Sequence, residues 1–214
     1  LANEKDETLV KEVGQSGRII NGNRVEIANF KYVVIVRGVS NFATSGGVLF
    51  QVIRIAIHPS YILDRGPGVA DYNVAILRVR TNAFINRLTR IPFATAEVQI
   101  GARCLICGWG RINLRVPEPS AELRFVFMNI VSQSACSARW ASSRFQTITS
   151  NMICVGSRNV DICYGDNGAP LVCNGVLVGV ASFSNPSCDG SRPAGFTKII
   201  APNITAFIRR ETRV

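Results

Sequence analysis

With 214 residues, 47% of them apolar, the chain can form one large domain or two small ones sharing a core, and intrinsic disorder is excluded. Its 24 Lys and Arg against 14 Asp and Glu give a formal charge of +10, which argues against basic partners and for acidic ones. A single histidine, His58, means that any imidazole base or multi-histidine metal site depends on that residue alone.

The basic charge is mostly arginine, since the only lysines are Lys5, Lys11, Lys31 and Lys198. Arginine's planar fork suits carboxylate, phosphate or sulfate better than a point charge does. Seven cysteines (Cys104, Cys107, Cys136, Cys154, Cys163, Cys173 and Cys188) all fall from residue 104 onward, and an odd count leaves at least one unpaired. No apolar run approaches the roughly 18 to 20 residues that a membrane span needs.

In chain order, residues 1–18 are acidic and lack the periodicity of a core element, so they read as a propeptide-like leader, with the body at 19–214. The start on Leu1 followed by a polar stretch reads as a secreted chain after removal of its signal peptide. From Lys31 onward, short apolar runs alternate with turn residues. They are YVVIVRG (32–38), GGVLFQVIRIAI (46–57), NVAILRV (73–79), CLICGWG (104–110), AELRFVFMNIV (121–131), APLVCNGVLVGVASF (169–183) and AGFTKII (194–200). Rich in Val, Ile and Phe, they predict an all-β protein, an antiparallel barrel or sandwich. Asn174-Gly175 predicts a hairpin turn, because this pair accepts positive φ. Pro202 opens a stretch with Ile204, Phe207 and Ile208 at helical spacing, ending in Arg209 and Arg210, which predicts a short C-terminal helix. Asn203-Ile204-Thr205 is the single N-glycosylation sequon and marks Asn203 as an acceptor in a secreted glycoprotein.

The segment Asp161-Ile162-Cys163-Tyr164-Gly165-Asp166-Asn167-Gly168-Ala169-Pro170-Leu171-Val172-Cys173 resembles the nucleophile loop of the trypsin-like serine proteases, usually DxCxGDSGGPLVC. Arg18-Ile19-Ile20-Asn21-Gly22 resembles the family's activation cleavage site, Gly108-Trp109-Gly110 its GWG, and Asn151-Met152-Ile153-Cys154 its NMIC. The resemblance covers residues 18–210 and implies two packed antiparallel β-barrels with a C-terminal helix. It also implies disulfides Cys104–Cys173, Cys136–Cys154 and Cys163–Cys188, with Cys107 left as a buried thiol or an intermolecular bridge.

A serine protease needs a hydroxyl nucleophile, an imidazole base and an orienting carboxylate. On the family pattern, Asn167 stands at the nucleophile, and Asn73, in DYNVAIL, stands at the triad aspartate. Ser45-Gly46-Gly47 runs directly into the strand that ends at His58-Pro59-Ser60-Tyr61, so the segment that delivers the catalytic histidine is missing and the first barrel is truncated. His58 then matches the later HPxY position, and Ser45 replaces a cysteine whose partner lay in the missing segment. A skipped exon or a gene-model artefact would give the same junction. Asp161 matches the acidic pocket floor, while Ser184 and Ala194 replace two wall glycines, and Phe183 replaces the usual tryptophan. Gly165 retains an oxyanion-like loop, whose amides bind an anion or are simply solvated. Arg18, Ile19 and Asp166 retain the activation elements, used or merely inherited.

These features predict a secreted, catalytically inactive serine protease homologue, not an enzyme, acting as a binding, decoy or cofactor protein in a protease cascade. The alternative is a trypsin-like serine endopeptidase by kinship. The expected partners are protease-cascade components, or acidic glycans and anionic surfaces. No cofactor, metal, specific nucleic acid or membrane span is expected.

Overall fold

The computed structural model describes residues 22–24, 51–61, 70–80, 90–115, 118–143 and 146–212. Nine strands and two helices occur among them. They are β1 (Asn23–Arg24), β2 (Val52–Ile57), β3 (Ala75–Val79), β4 (Arg103–Gly108), β5 (Arg124–Val131), α1 (Gln133–Trp140), β6 (Met152–Gly156), β7 (Pro170–Cys173), β8 (Val176–Phe183), β9 (Ala194–Lys198) and α2 (Pro202–Thr212).

Six strands close an antiparallel barrel in the order β5-β4-β7-β8-β9-β6, with β6 pairing back onto β5 and β1 added along β5. Closure leaves the ring without an open edge. The strand β5 shows why this sequence closes inward: Val126, Met128 and Ile130 alternate with more exposed neighbours and meet Cys104, Ile106, Val155, Leu171, Val178 and Phe196 inside. The β7–β8 hairpin turns at Asn174 (φ +49°) and Gly175 (φ +76°), the two positive values expected of that pair.

A separate two-stranded ladder, β2 with β3, packs against α2. Val74, Ile204, Phe207 and Ile208 form the joint, with Ala56, Ile76 and Leu177 against them. The expected C-terminal helix is thus present, its apolar face buried and Arg209 and Arg210 in its last turn. The rest of the expected first barrel, including 32–38 and 46–50, lies outside the described residues, as do the leader, Arg18, Ile19 and Ser45.

Three elements were not among the expected ones: the two-residue β1, α1 and β6. The helix α1 is capped by Ser132, whose Oγ accepts from the Ala135 amide at 3.2 Å, and it buries only Cys136 and Trp140. The strand β6 carries the NMIC motif and is buried from Met152 to Val155. The three expected disulfides are all formed, and Cys107 is a buried free thiol. Burial, and secondarily the nearby Asp166 carboxylate, pushes the Cys107 thiol up to about 12, so it stays protonated and inert. Among the described residues no helix is long and apolar enough to cross a membrane.

Candidate functional site

The site lies where the loop before β7 meets the ends of β4, β8 and β9. Asp166 is its buried hub, with Oδ1 accepting from the Gly110 amide at 2.7 Å and Oδ2 from the Cys163 amide at 3.0 Å. Burial raises this carboxyl to about 6, and the two amide bonds pull the other way. The GWG glycines explain themselves here, because a Cβ on Gly108 or Gly110 would overlap the Asp166 carboxylate. Asn167 and Gly165 follow and precede this hub on the exposed side. Gly165 sits at φ +97° with Gly110 Cα where its own Cβ would press, so only glycine fits.

Asp161 is fully buried. Its Oδ2 accepts from the Gly190 amide at 3.3 Å, and Oδ1 has no hydrogen-bond partner among the described residues. Burial raises this carboxyl to about 7; the Gly190 and Ile162 amides lower it, and the Asp189 and Asp166 charges add to the rise. The Cys163–Cys188 bridge ties the Asp161 segment to the loop that carries Gly190. On that loop the Asp189 carboxyl is held well below its usual range, chiefly by its hydrogen bonds to Ser191.

The expected wall positions lie just after β8 and at the start of β9. Ala194 is buried and Ser184 is half-buried. The Phe183 ring lies flat against Gly195, where any Cβ would overlap it, and meets Trp140 edge-on at 5.3 Å. Trp140 Nε1 donates to the Pro193 carbonyl at 2.9 Å, so α1 clamps the start of β9. Sequence reasoning missed Trp140, Gly190 and Gly195. The signal for Trp140 was its spacing of four from the bridged Cys136.

Asn73 is half-buried beside β8. Its Nδ2 donates to Ser182 Oγ at 3.0 Å, Ser182 Oγ donates to the Ala70 carbonyl at 3.2 Å, and the Asn73 carbonyl accepts from Thr197 Oγ1 at 2.7 Å. Asp71, two residues earlier, is held by Asn151 Nδ2 at 3.2 Å to each oxygen and by the Tyr72 amide at 2.8 Å. His58 follows β2, buried, stacked on Tyr72 at 4.7 Å and tilted against Phe207 at 4.9 Å, while Nδ1 accepts from the Ser60 amide. Asn203 is exposed near the start of α2, its Nδ2 donating to the Tyr72 hydroxyl at 3.4 Å.

A closed antiparallel barrel whose buried aspartate braces a surface loop, with a second acidic residue buried behind it, defines a trypsin-like protein. The trypsin family model matches residues 28–208, and the chain belongs to this family. It is 39% identical over 154 residues to trypsin, alkaline B, of Manduca sexta, covering 69% of this chain and 58% of that protein. It is 34% identical over 149 residues to serine protease 1 of Homo sapiens, covering 68% of this chain and 57% of that protein. The solved structure of neuropsin, a serine protease expressed in the limbic system of mouse brain, superposes with a TM-score of 0.68 at 29% identity, over 76% of this chain and 71% of that one. The matched stretch thus spans less than two thirds of the length of these curated relatives.

One expectation is corrected by these comparisons. The sequence reading set the chain outside the enzymes, whereas its relatives are named trypsins and a serine protease, and His58 is present within the folded body. Motif matching assigns Asn73 and Asn167 to triad positions, and it does not by itself demonstrate loss of turnover.

Proposed function

We propose that this trypsin-family chain is secreted and acts by binding, as a decoy or cofactor that engages acidic partners in a protease cascade. The observation that carries this reading is the charge of +10, concentrated in arginines. At this charge, encounter with acidic surfaces is steered and salt-sensitive. One further feature supports secretion: the three disulfides suit an oxidising compartment. Arg18, Ile19 and Asp166 are proposed as the activation elements, Asp161, Ser184 and Ala194 as the pocket, Gly165 as the oxyanion-like position and Asn203 as the glycosylation site.

A second reading, proteolysis, is favoured by the names of the relatives. The two separate in one preparation: retention on immobilised heparin along a salt gradient, and hydrolysis of Arg and Lys esters beside Asn167→Ser. Retention that salt reverses supports the binding role, and its absence refutes it. Robust ester hydrolysis by the unaltered chain makes proteolysis the primary activity.

A further inference from the structure

The sequence holds three Asn-Gly pairs, at 21–22, 167–168 and 174–175, and one Asp-Gly pair at 189–190. In such a pair the glycine nitrogen can close a five-membered ring onto the side-chain carbonyl carbon of the residue before it. Glycine has no Cβ to obstruct the approach, and the chain itself holds the reacting atoms together. Asparagine is accordingly among the thermolabile side chains. What separates one pair from another is the occupation of the glycine nitrogen, since it attacks only after losing its proton, and a hydrogen bond made by the protonated form keeps the proton in place.

The Gly168 amide donates to the Ala181 carbonyl at 2.9 Å, and the Ala181 amide donates to the Ala169 carbonyl at 2.9 Å, so the backbone at Asn167-Gly168 is tied across to β8. The Gly190 amide donates to Asp161 Oδ2 at 3.3 Å. Its neighbour Asp189 is held well below the usual carboxylate range, chiefly by Ser191, and an ionised carboxylate resists a nucleophile. Asn21 lies outside the described residues. Gly175 differs from both. Asn174 and Gly175 are exposed and form the two-residue turn beyond Cys173 and Val176, the last pair of the β7–β8 ladder. Among the described residues the Gly175 amide has no acceptor. Steric access does not separate Gly168 from Gly175, because a Cβ on either would meet nothing within 4 Å; the hydrogen bond does.

We propose that Asn174 is a deamidation site of this chain and that the sheet protects Asn167. Solvent base removes the Gly175 amide proton, the nitrogen bonds to Asn174 Cγ, and the Cγ–Nδ2 bond breaks with loss of ammonia. Water then opens the imide at either carbonyl, giving aspartate or isoaspartate, so that water is consumed, ammonia is released and one negative charge appears. Isoaspartate adds one backbone atom to a turn of two residues. Loop length fixes register in a hairpin, and this hairpin is anchored through Cys173 to Cys104 and continues along β8 to Phe183. The isoaspartate form is therefore less stable. Protection of Asn167 preserves the carboxamide at the position assigned to the nucleophile. The inference stands apart from the binding role proposed above.

The test incubates the whole folded chain at alkaline pH beside the same chain reduced and unfolded in guanidinium chloride. Peptide mapping by mass spectrometry follows each pair through time. In the folded chain Asn174 is expected to convert about two- to tenfold faster than Asn167, the factor set by the hydrogen bond that Gly168 must give up. In the unfolded chain, where that bond is gone, the two convert at similar rates. Conversion of Asn167 as fast as Asn174 in the folded chain overturns the proposal, as does a folded chain in which neither converts while the unfolded chain does. The same preference in both states also overturns it, because the cause would then lie in the neighbouring residues and not in the fold. The isoaspartate form, isolated by chromatography, should unfold at a lower guanidinium concentration than the unconverted chain, and an equal midpoint overturns the consequence for the hairpin.

Discussion

Replacing Asp161 with asparagine removes a charge that the fold buries without full compensation. The aspartate is completely enclosed, and one of its oxygens lacks a partner among the described residues. Its folded-state value is raised from 3.8 to about 7, so the native state holds a proton more tightly than the unfolded chain does. The stability this contributes is fully present below about pH 4 and is lost as the pH rises through about 7. At about 1.4 kcal/mol per unit, the total loss is about 4 kcal/mol. Urea unfolding of the wild type and of Asp161→Asn, at pH values from about 4 to about 8, measures it as a difference between two curves. The variant should gain on the wild type steadily across that window and end about 4 kcal/mol ahead of its relative position at the acid end. Asp166 titrates in both proteins, and only its charge coupling to Asp161, the smallest of the contributions there, enters the difference. Parallel curves would refute the reasoning, because they would mean that Asp161 ionises in the native state at no cost.

Three further outcomes follow from the packing around the site. Gly195→Ala places a methyl in the Phe183 ring and should cost roughly 1 to 3 kcal/mol of unfolding free energy; the double variant with Phe183→Ala should show strong coupling in a mutant cycle. Trp140→Phe leaves the Pro193 carbonyl without its indole donor and should lower stability by about 1 to 3 kcal/mol, read by chemical denaturation. Leu171→Ala empties a fully buried place in the barrel and should cost roughly 2 to 5 kcal/mol, measured as a fall in the denaturation midpoint at unchanged slope.

The barrel strands were legible as short apolar runs. In Arg124–Val131 every second side chain turns inward, but Phe125, Phe127 and Val131 on the other side are apolar too, so the sequence marks the strand and not which face is buried. The Asn174-Gly175 turn was legible because its backbone demands those residues. The helix α1 was not, since its eight residues bury only Cys136 and Trp140, and its place is fixed by a disulfide to β6 and by the bond to Pro193. Disulfide pairing was readable only through the family, because six cysteines allow 15 pairings and spacing does not choose among them. At the site, Asp161 and Asp166 were visible as motif positions, yet the contact that gives Gly110 its role spans 56 residues. No local pattern encodes a contact at that separation. The same holds for Glu211 and Arg54, 157 residues apart.

The most direct test of the binding role is the affinity of the intact chain for heparin between about 50 and about 200 mM salt. Recognition through exposed arginines predicts measurable binding at the low end and a steep linear fall of log K with log salt. Absence of binding at low salt, or an affinity indifferent to salt, would contradict it.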